Sequence, residues 1–261
     1  MTDKLLMQKD GPIGWIVFNQ PDKRNAVSQE MWEAMPGYVK ELSSDDAIRV
    51  VILRGAGEAA FVSGADISQF KDKRKNMADE EEYRRISARG QDSLTTLQKP
   101  LMAMIHGFCV GGGVGVALTC DIRLASDDAR FGIPAARLGL GYHFSGVERL
   151  VGLVGPSAAA ELFFTARSYT AAEALRIGLV NQVVAKHELE PFTATYAGAI
   201  AANAPLTVRA AKRAIVESQR DPAARDVAAV RRAIAACFES ADYAEGVRAF
   251  IEKRSPRFRG A

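Results

Sequence analysis

Two runs in this chain are apolar at every position: Val50-Val51-Ile52-Leu53 and Leu101-Met102-Ala103-Met104-Ile105. Short continuous runs of this kind predict strands buried on both faces. Ile13 to Asn19, after Asp10-Gly11-Pro12, reads as another strand, and Asp121 to Ala125 and Ala129-Arg130-Phe131-Gly132 as shorter ones. Between them the polar spacing changes. Ser28 can cap a helix from Gln29 to about Leu42, and Asp79 can cap one reaching about Leu97, with Pro100 ending it. Pro21 to Asn25 reads as a loop, Asp45-Asp46 as a turn, and the charged, unpatterned stretch Lys71 to Met77 as a mobile loop. Strands alternating with helices predict a mixed α/β core with crossover connections.

After Pro156 the texture is helical. Ser157 to Phe164, Ala171 to Ile177, Glu188 to Asn203, Pro205 to Gln219 and Asp221 to Ser240 each read as a helix. A last helix sets Tyr243, Val247, Phe250 and Ile251 on one stripe, with Asp242 and Glu245 spaced as a capping pair. The expected division is an α/β core over 1–200 and a helical segment over 201–261. Its apolar stripe has to be buried somewhere, and contact between subunits is one answer.

Composition narrows the class without deciding it. The chain has 261 residues, 48% of them apolar, and a formal net charge of +3. That charge gives no reason to invoke nucleic acid or an acidic membrane surface as partner. The 201–261 segment is more basic, with twelve Lys or Arg against seven Asp or Glu. This is either a solvated helical surface or a local attraction for a polyanion. Cys109, Cys120 and Cys237 fit no zinc or redox spacing, and their odd number argues against a disulfide framework. The N-terminal residues show no signal-peptide pattern, and no apolar run approaches a membrane span. A reducing, soluble, cytoplasmic protein is the expectation.

The candidate chemistry lies in two glycine-containing segments, each just past a predicted strand: Phe61-Val62-Ser63-Gly64-Ala65-Asp66-Ile67 and His106-Gly107-Phe108-Cys109-Val110-Gly111-Gly112-Gly113. The second opens onto a helix-like stretch, Val114 to Thr119, whose N-terminus favours negative charge. Two backbone N–H groups converging on one oxygen make an oxyanion hole. Other readings fail on spacing. A dinucleotide fingerprint counted from Gly111 and Gly113 needs glycine where Val116 stands. No phosphate-loop Gly-Lys-Ser/Thr and no Gly-x-Ser-x-Gly elbow occur, which leaves His106, His143 and His187 without a hydrolase triad. His106 reads as a strand-end residue with a local hydrogen bond, and His187 as a surface residue.

The pair of segments resembles that of the crotonase superfamily, the enoyl-CoA hydratase/isomerase family. The likeness extends to Asn19-Gln20-Pro21, Asn25-Ala26-Val27, Cys120-Asp121-Ile122, Phe131-Gly132, Leu138-Gly139, Ala171-Ala172-Glu173-Ala174, Gly178-Leu179-Val180 and Phe250-Ile251-Glu252-Lys253-Arg254, in order along the chain. It implies an α/β crotonase (ClpP/crotonase-like) fold, a spiral of ββα units with a C-terminal helical segment, assembled as a homotrimer or a dimer of trimers. It implies an acyl-CoA thioester as substrate, with coenzyme A as part of that substrate and no metal or redox cofactor. The N–H groups of Ala65 and Gly112 would bind the thioester oxygen. Ser63, Asp66 and Ile67 would cradle the adenine, and Lys23 or Arg24 would reach the pyrophosphate. Phe250 and Lys253 would close over the nucleotide, usually from a neighbouring subunit.

The resemblance breaks at two positions. The hydratases of the family place glutamates where this chain has Gly115 and Ala135. Leu138-Gly139-Leu140-Gly141-Tyr142-His143 looks more like the methylmalonyl-CoA decarboxylase branch, which has a tyrosine at the position of Tyr142, although it has histidine at that of Ala65. A packed aromatic at a helix start is the plainer reading of Tyr142. Glu148, Asp127, Asp128 and Glu80 to Glu82 are other carboxylates that could supply protons. Three classes stay open: a hydratase-like lyase or isomerase, a decarboxylase using Tyr142, and a catalytically silent acyl-CoA binder.

Overall fold

The computed structural model describes residues 2–66 and 77–261, apart from the Glu80 side chain. The apolar runs form a six-stranded sheet in the order β1-β2-β3-β5-β7-β10. Its strands are β1 (Leu5–Asp10), β2 (Ile13–Phe18), β3 (Val50–Gly55), β5 (Leu101–Ile105), β7 (Ile122–Ser126) and β10 (Gln182–Val184). The β1–β2 pair is antiparallel and every other pair is parallel. A smaller sheet, order β4-β6-β8-β9, is built from β4 (Ala60–Val62), β6 (Phe108–Val110), β8 (Arg130–Gly132) and β9 (Tyr169–Thr170).

The period of two explains why Val50 to Leu53 and all of β5 are apolar. Ile16, Phe18, Val51, Leu53, Ala103 and Ile105 face the main core, with α1 (Gln29–Ser44) and α2 (Met77–Thr95) beyond it. Trp15, Val17, Ile52, Met102, Met104 and Leu124 face the other way and are covered by α7 (Leu189–Ala201) through Leu189, Phe192, Tyr196 and Ala197. Both faces of these strands are covered, so apolar residues can fill both.

Each turn of the chain lays one strand in each sheet and then a helix. The series runs β3, β4, α2; then β5, β6, α3 (Gly112–Ala117); then β7, β8, α4 (Ala135–Leu138) and α5 (Phe144–Thr165). This is the spiral of ββα units expected from the motifs. The helices α6 (Ala171–Arg176), α8 (Pro205–Ser218), α9 (Val227–Phe238) and α10 (Ala241–Ile251) complete the described α-helices. Lys212 on α8 reaches back to the sheet, donating to the Asp121 carboxylate at 2.7 Å and the Lys99 carbonyl at 2.9 Å.

Several expectations need correction. The helix expected from Ser157 is the second part of α5: the backbone is non-helical at Gly155, with φ of +77° and ψ of 165°, and a further helical stretch over 144–154, which was not expected, precedes it. The Asp221–Ser240 helix is a short 3-10 turn at Pro222–Ala224 followed by α9, because the Asp221 side chain accepts from Ala223 N and starts the turn locally. Asp79 lies inside α2 rather than capping it. Ser240 caps α10, while Asp242 and Glu245 instead hold the C-terminal tail: Asp242 accepts from Arg259 N and Gly260 N, and Glu245 from Arg257 N. The loop expected from Lys71 lies outside the described residues up to Met77, which opens α2. No helix among the described residues is long and apolar enough to cross a membrane.

Candidate active site

The turn before α1 organises the site. Pro21–Lys23 is one turn of 3-10 helix, and Arg24 and Asn25 follow it with φ of +51° and +56°. Asn25 makes this conformation affordable for a side chain, because the turn closes on its buried amide. Its Oδ1 accepts from Gln20 N at 3.0 Å, and its Nδ2 donates to Ala56 O at 2.9 Å and Ala60 O at 2.7 Å. The turn is then laced to the first glycine segment. Ser63 N donates to Arg24 O, Ser63 Oγ to Lys23 O, and the Lys23 ammonium pairs with the buried Asp66 carboxylate at 2.9 Å.

This lacing sets the direction of Ala65. Val27 N donates to Gly64 O at 2.8 Å, and Asp66 N donates to Val27 O at 3.0 Å. Both polar groups of Val27 are therefore used by the neighbours of Ala65, in a parallel bridge. The Ala65 N–H faces away from Val27. Gly112 opens α3, so its N–H has no carbonyl one turn earlier. The two segments lie against each other. A Cβ built on Gly112 would stand 3.6 Å from Ala65 N, and one on Gly64 would stand 3.7 Å from Gly112 N. Among the described residues neither N–H donates within the chain. Two unused donors thus share one small space. Glycine is required twice here: Gly64 has φ of +111°, and a Cβ on Gly113 would lie 1.9 Å from Val62 O.

Gly115 and Tyr142 meet at this site. The Tyr142 hydroxyl would be 3.7 Å from a Cβ at position 115, and it donates to Gly111 O over a long 3.4 Å. That carbonyl belongs to the same peptide unit as the Gly112 N–H. Sequence reasoning did not find the groups that hold the ring. Gly146, four residues on, leaves room for it, since a Cβ there would be 2.8 Å from Tyr142 Cε1. Phe163 packs edge-on at 4.9 Å between centroids. An aromatic followed by glycine at i+4 across a helix start was the available signal. Burial pushes the Tyr142 phenol up to about 12, so it is a neutral donor at ordinary pH. Ala135 opens α4 as a buried methyl.

The other described carboxylates lie away from this site. Asp128 pairs with Lys186 at 3.0 Å, and Asp127 accepts from Lys186 N. Glu81 and Glu82 are exposed on α2 and paired with Arg84 and Arg85. Glu148 is exposed on α5. His143 and His187 are exposed as well. His106 is buried, burial lowers its basicity, and its Nε2 meets no partner among the described residues, contrary to the expected local hydrogen bond.

Lys23, Arg24, Ser63 and Asp66 are thus brought together, and Ile67 lies outside the described residues. Phe250 and Lys253 are not brought to them. Both are exposed at the end of α10, and no hydrogen bond, ion pair or ring contact among the described residues links either to the cluster.

Comparison with known proteins finds relatives along nearly the whole chain. The enoyl-CoA hydratase/isomerase family profile matches residues 8–261. A short-chain-enoyl-CoA hydratase of Clostridium acetobutylicum is 38% identical over 97% of this chain and 96% of its own length. A crotonyl-CoA hydratase of Syntrophomonas wolfei is 35% identical, over 98% of each chain. Among solved structures, an enoyl-CoA hydratase/carnithine racemase from Magnetospirillum magneticum superposes with a TM-score of 0.93 at 33% identity, covering 100% of this chain and 97% of its own. An enoyl-CoA hydratase from Bacillus anthracis also gives 0.93, at 31% identity and 99% and 100% coverage. The crotonase fold is therefore shared over the whole chain.

Proposed function

Because this chain belongs to the enoyl-CoA hydratase/isomerase family, we propose that it is an enzyme that takes an acyl-CoA thioester and stabilises the enolate or tetrahedral oxyanion formed from it. The observation that carries this reading is the pair of unused N–H groups of Ala65 and Gly112 beside one another. A thioester oxygen accepting from both gains most when it becomes negative. Loss of one such donor typically costs roughly 3–4 kcal/mol of barrier. Lys23, Arg24, Ser63 and Asp66 form one wall near the first donor, where the nucleotide end of the substrate is proposed to lie. Phe250 and Lys253 serve that end from a neighbouring subunit of a trimer or a dimer of trimers. Coenzyme A enters as part of the substrate, and the chemistry asks for no metal or redox group.

The proton chemistry departs from a two-carboxylate mechanism. Gly115 and Ala135 offer no acid, and the Tyr142 hydroxyl occupies the space beside Gly115. This favours a second, finer reading: decarboxylation of a malonyl-type thioester. The C–C bond to the carboxylate breaks, its electron pair enters the enolate held by Ala65 and Gly112, and carbon dioxide leaves. A proton on the α-carbon then completes the product, delivered from Tyr142 or from water that it orients. A hydratase or isomerase reaction, or acyl-CoA binding without turnover, are the other outcomes.

Mass-spectrometric turnover of crotonyl-CoA and methylmalonyl-CoA by the purified protein separates them. Decarboxylation of the second without hydration of the first, lost in Tyr142→Phe, is the result expected of the decarboxylase reading. Fast hydration of crotonyl-CoA, or decarboxylation that survives Tyr142→Phe, removes the role of Tyr142. Failure to bind either thioester removes the whole proposal.

A further inference from the structure

We infer that Phe108 is a positioning residue that holds the Arg24 guanidinium ready for the diphosphate of the substrate, and that Arg24 rather than Lys23 is the cation on this turn that binds it. The inference rests on the acyl-CoA reading above. The Arg24 guanidinium lies over the Phe108 ring, 4.5 Å from its centroid. Phe108 is a large apolar side chain left 36% exposed at the start of β6. Its ring face is therefore available at the surface, and it is the cation that covers it.

The backbone beneath Arg24 is fixed on both sides. Arg24 N donates to Pro21 O at 2.9 Å, and Arg24 O accepts from Ser63 N at 3.1 Å. A rigid turn aims the side chain, but arginine has many rotamers, and holding one of them has an entropy cost. Stacking on an aromatic face supplies the hold. It also uses only the flat face of the guanidinium. The five N–H donors lie in the plane and stay open, in the fork that suits two phosphate oxygens. Among the described residues no carboxylate or carbonyl takes them: Arg24 makes no side-chain hydrogen bond and no ion pair. Lys23 is committed differently. Its ammonium is bonded to the buried Asp66 carboxylate at 2.9 Å, which ties the turn to the Ala65 segment. The two adjacent cations divide the work, one fastening the turn and one facing the ligand.

The test is a pair of ligands that differ only in the nucleotide. Butyryl-CoA and S-butyryl-pantetheine are titrated calorimetrically into wild type, Arg24→Gln, Phe108→Leu, Phe108→Tyr and the Arg24→Gln/Phe108→Leu double variant. Arg24→Gln is expected to weaken butyryl-CoA about tenfold and leave the pantetheine thioester unchanged. Phe108→Leu is expected to weaken butyryl-CoA about two- to fivefold, again without effect on the pantetheine thioester, and Phe108→Tyr to restore it. The double variant should be no weaker than Arg24→Gln alone, because the ring acts through the arginine. Equal loss on both ligands would make Phe108 a structural residue and overturn the inference. So would additive losses, or an Arg24→Gln protein that binds butyryl-CoA as wild type does. If wild type binds butyryl-CoA, these failures leave the acyl-CoA reading standing. If wild type binds neither ligand, that reading falls and this one with it.

Discussion

At the scale of single residues, the site is defined as much by a missing side chain as by those present. Gly115 leaves a space, and Tyr142 enters it from the α4–α5 connection, with its ring over Gly146 and against Phe163. A packed phenol of this kind is protonated over the whole working range, because burial raises it from 10.0 to about 12. The sign follows from which form the pocket excludes. The folded protein disfavours tyrosinate more than the unfolded chain does. The contribution of this group to stability is therefore complete below pH 10 and is lost as pH rises toward 12. Ultraviolet titration at 295 nm checks this. The wild-type minus Tyr142→Phe difference should show one phenol titrating near pH 12, after the exposed tyrosines. A component at pH 10 would place the hydroxyl in water and end its role as a held proton donor. Sequence spacing identified Tyr142 but not its setting, since Gly111, Gly115, Gly146 and Phe163 surround it from three different segments.

At the scale of elements, the turn over residues 20–25 decides where two later segments stand. Asn25 closes it with three hydrogen bonds from a fully buried amide, one of them to Ala60 at the start of β4. Asn25→Ala strands the Gln20 N–H and the Ala56 and Ala60 carbonyls. It also puts alanine at a φ of +56°. The expected cost is about 3 kcal/mol of unfolding free energy, read from the urea midpoint with an unchanged slope. Weaker butyryl-CoA binding should accompany it, because Arg24 rides on the same turn. A wild-type midpoint would show that the turn is held by the Lys23–Asp66 pair instead. The neighbouring elements show what a sequence can and cannot reveal. β3 and β5 were legible because Val50 to Leu53 and all of β5 are apolar. The smaller sheet was largely hidden: β4 and β6 have three residues each and β9 has two, too few for a period to register. Gly155-Pro156 reads as a boundary and is one, since Gly155 is non-helical and divides α5, but the helical stretch before it, from Phe144, was missed. The two glycine segments were legible for the opposite reason, since positions such as Gly113 admit no other residue.

At the scale of the whole molecule, the C-terminal helices leave apolar surface that one chain does not cover. A cleft of about 700 Å³ runs between α8, α9 and α10, lined by Ala210, Ile234, Phe238, Tyr243, Val247 and Phe250. Phe238, Phe250 and Ile251 are 62%, 85% and 73% exposed. Single surface phenylalanines are ordinary, but a contiguous apolar cleft with large side chains at its rim is the mark of an interface. The segment carrying it is held firmly. The tail after α10 is strapped back through Asp242, and Arg49 donates to Arg259 O from the sheet side. Glu245 binds Arg254 at 2.6 Å, and these contacts hold its carboxyl well below the usual range. A rigid, exposed apolar surface is what the proposed trimer needs, and the trimer would in turn carry Phe250 and Lys253 to a neighbouring chain's nucleotide end. Sedimentation velocity at micromolar protein should therefore give three or six times the 28.2 kDa of one chain. Phe238→Glu/Phe250→Glu should shift that toward a single chain with an unchanged far-ultraviolet spectrum, because both side chains are mostly exposed in the protomer and Phe238 contributes only an edge contact with Tyr243. Butyryl-CoA should then bind more weakly while S-butyryl-pantetheine does not, since only the nucleotide end would lose a neighbour. A wild-type chain that sediments alone would remove the neighbour altogether. Phe250 and Lys253, which touch nothing at the site within one chain, would then have no part in binding.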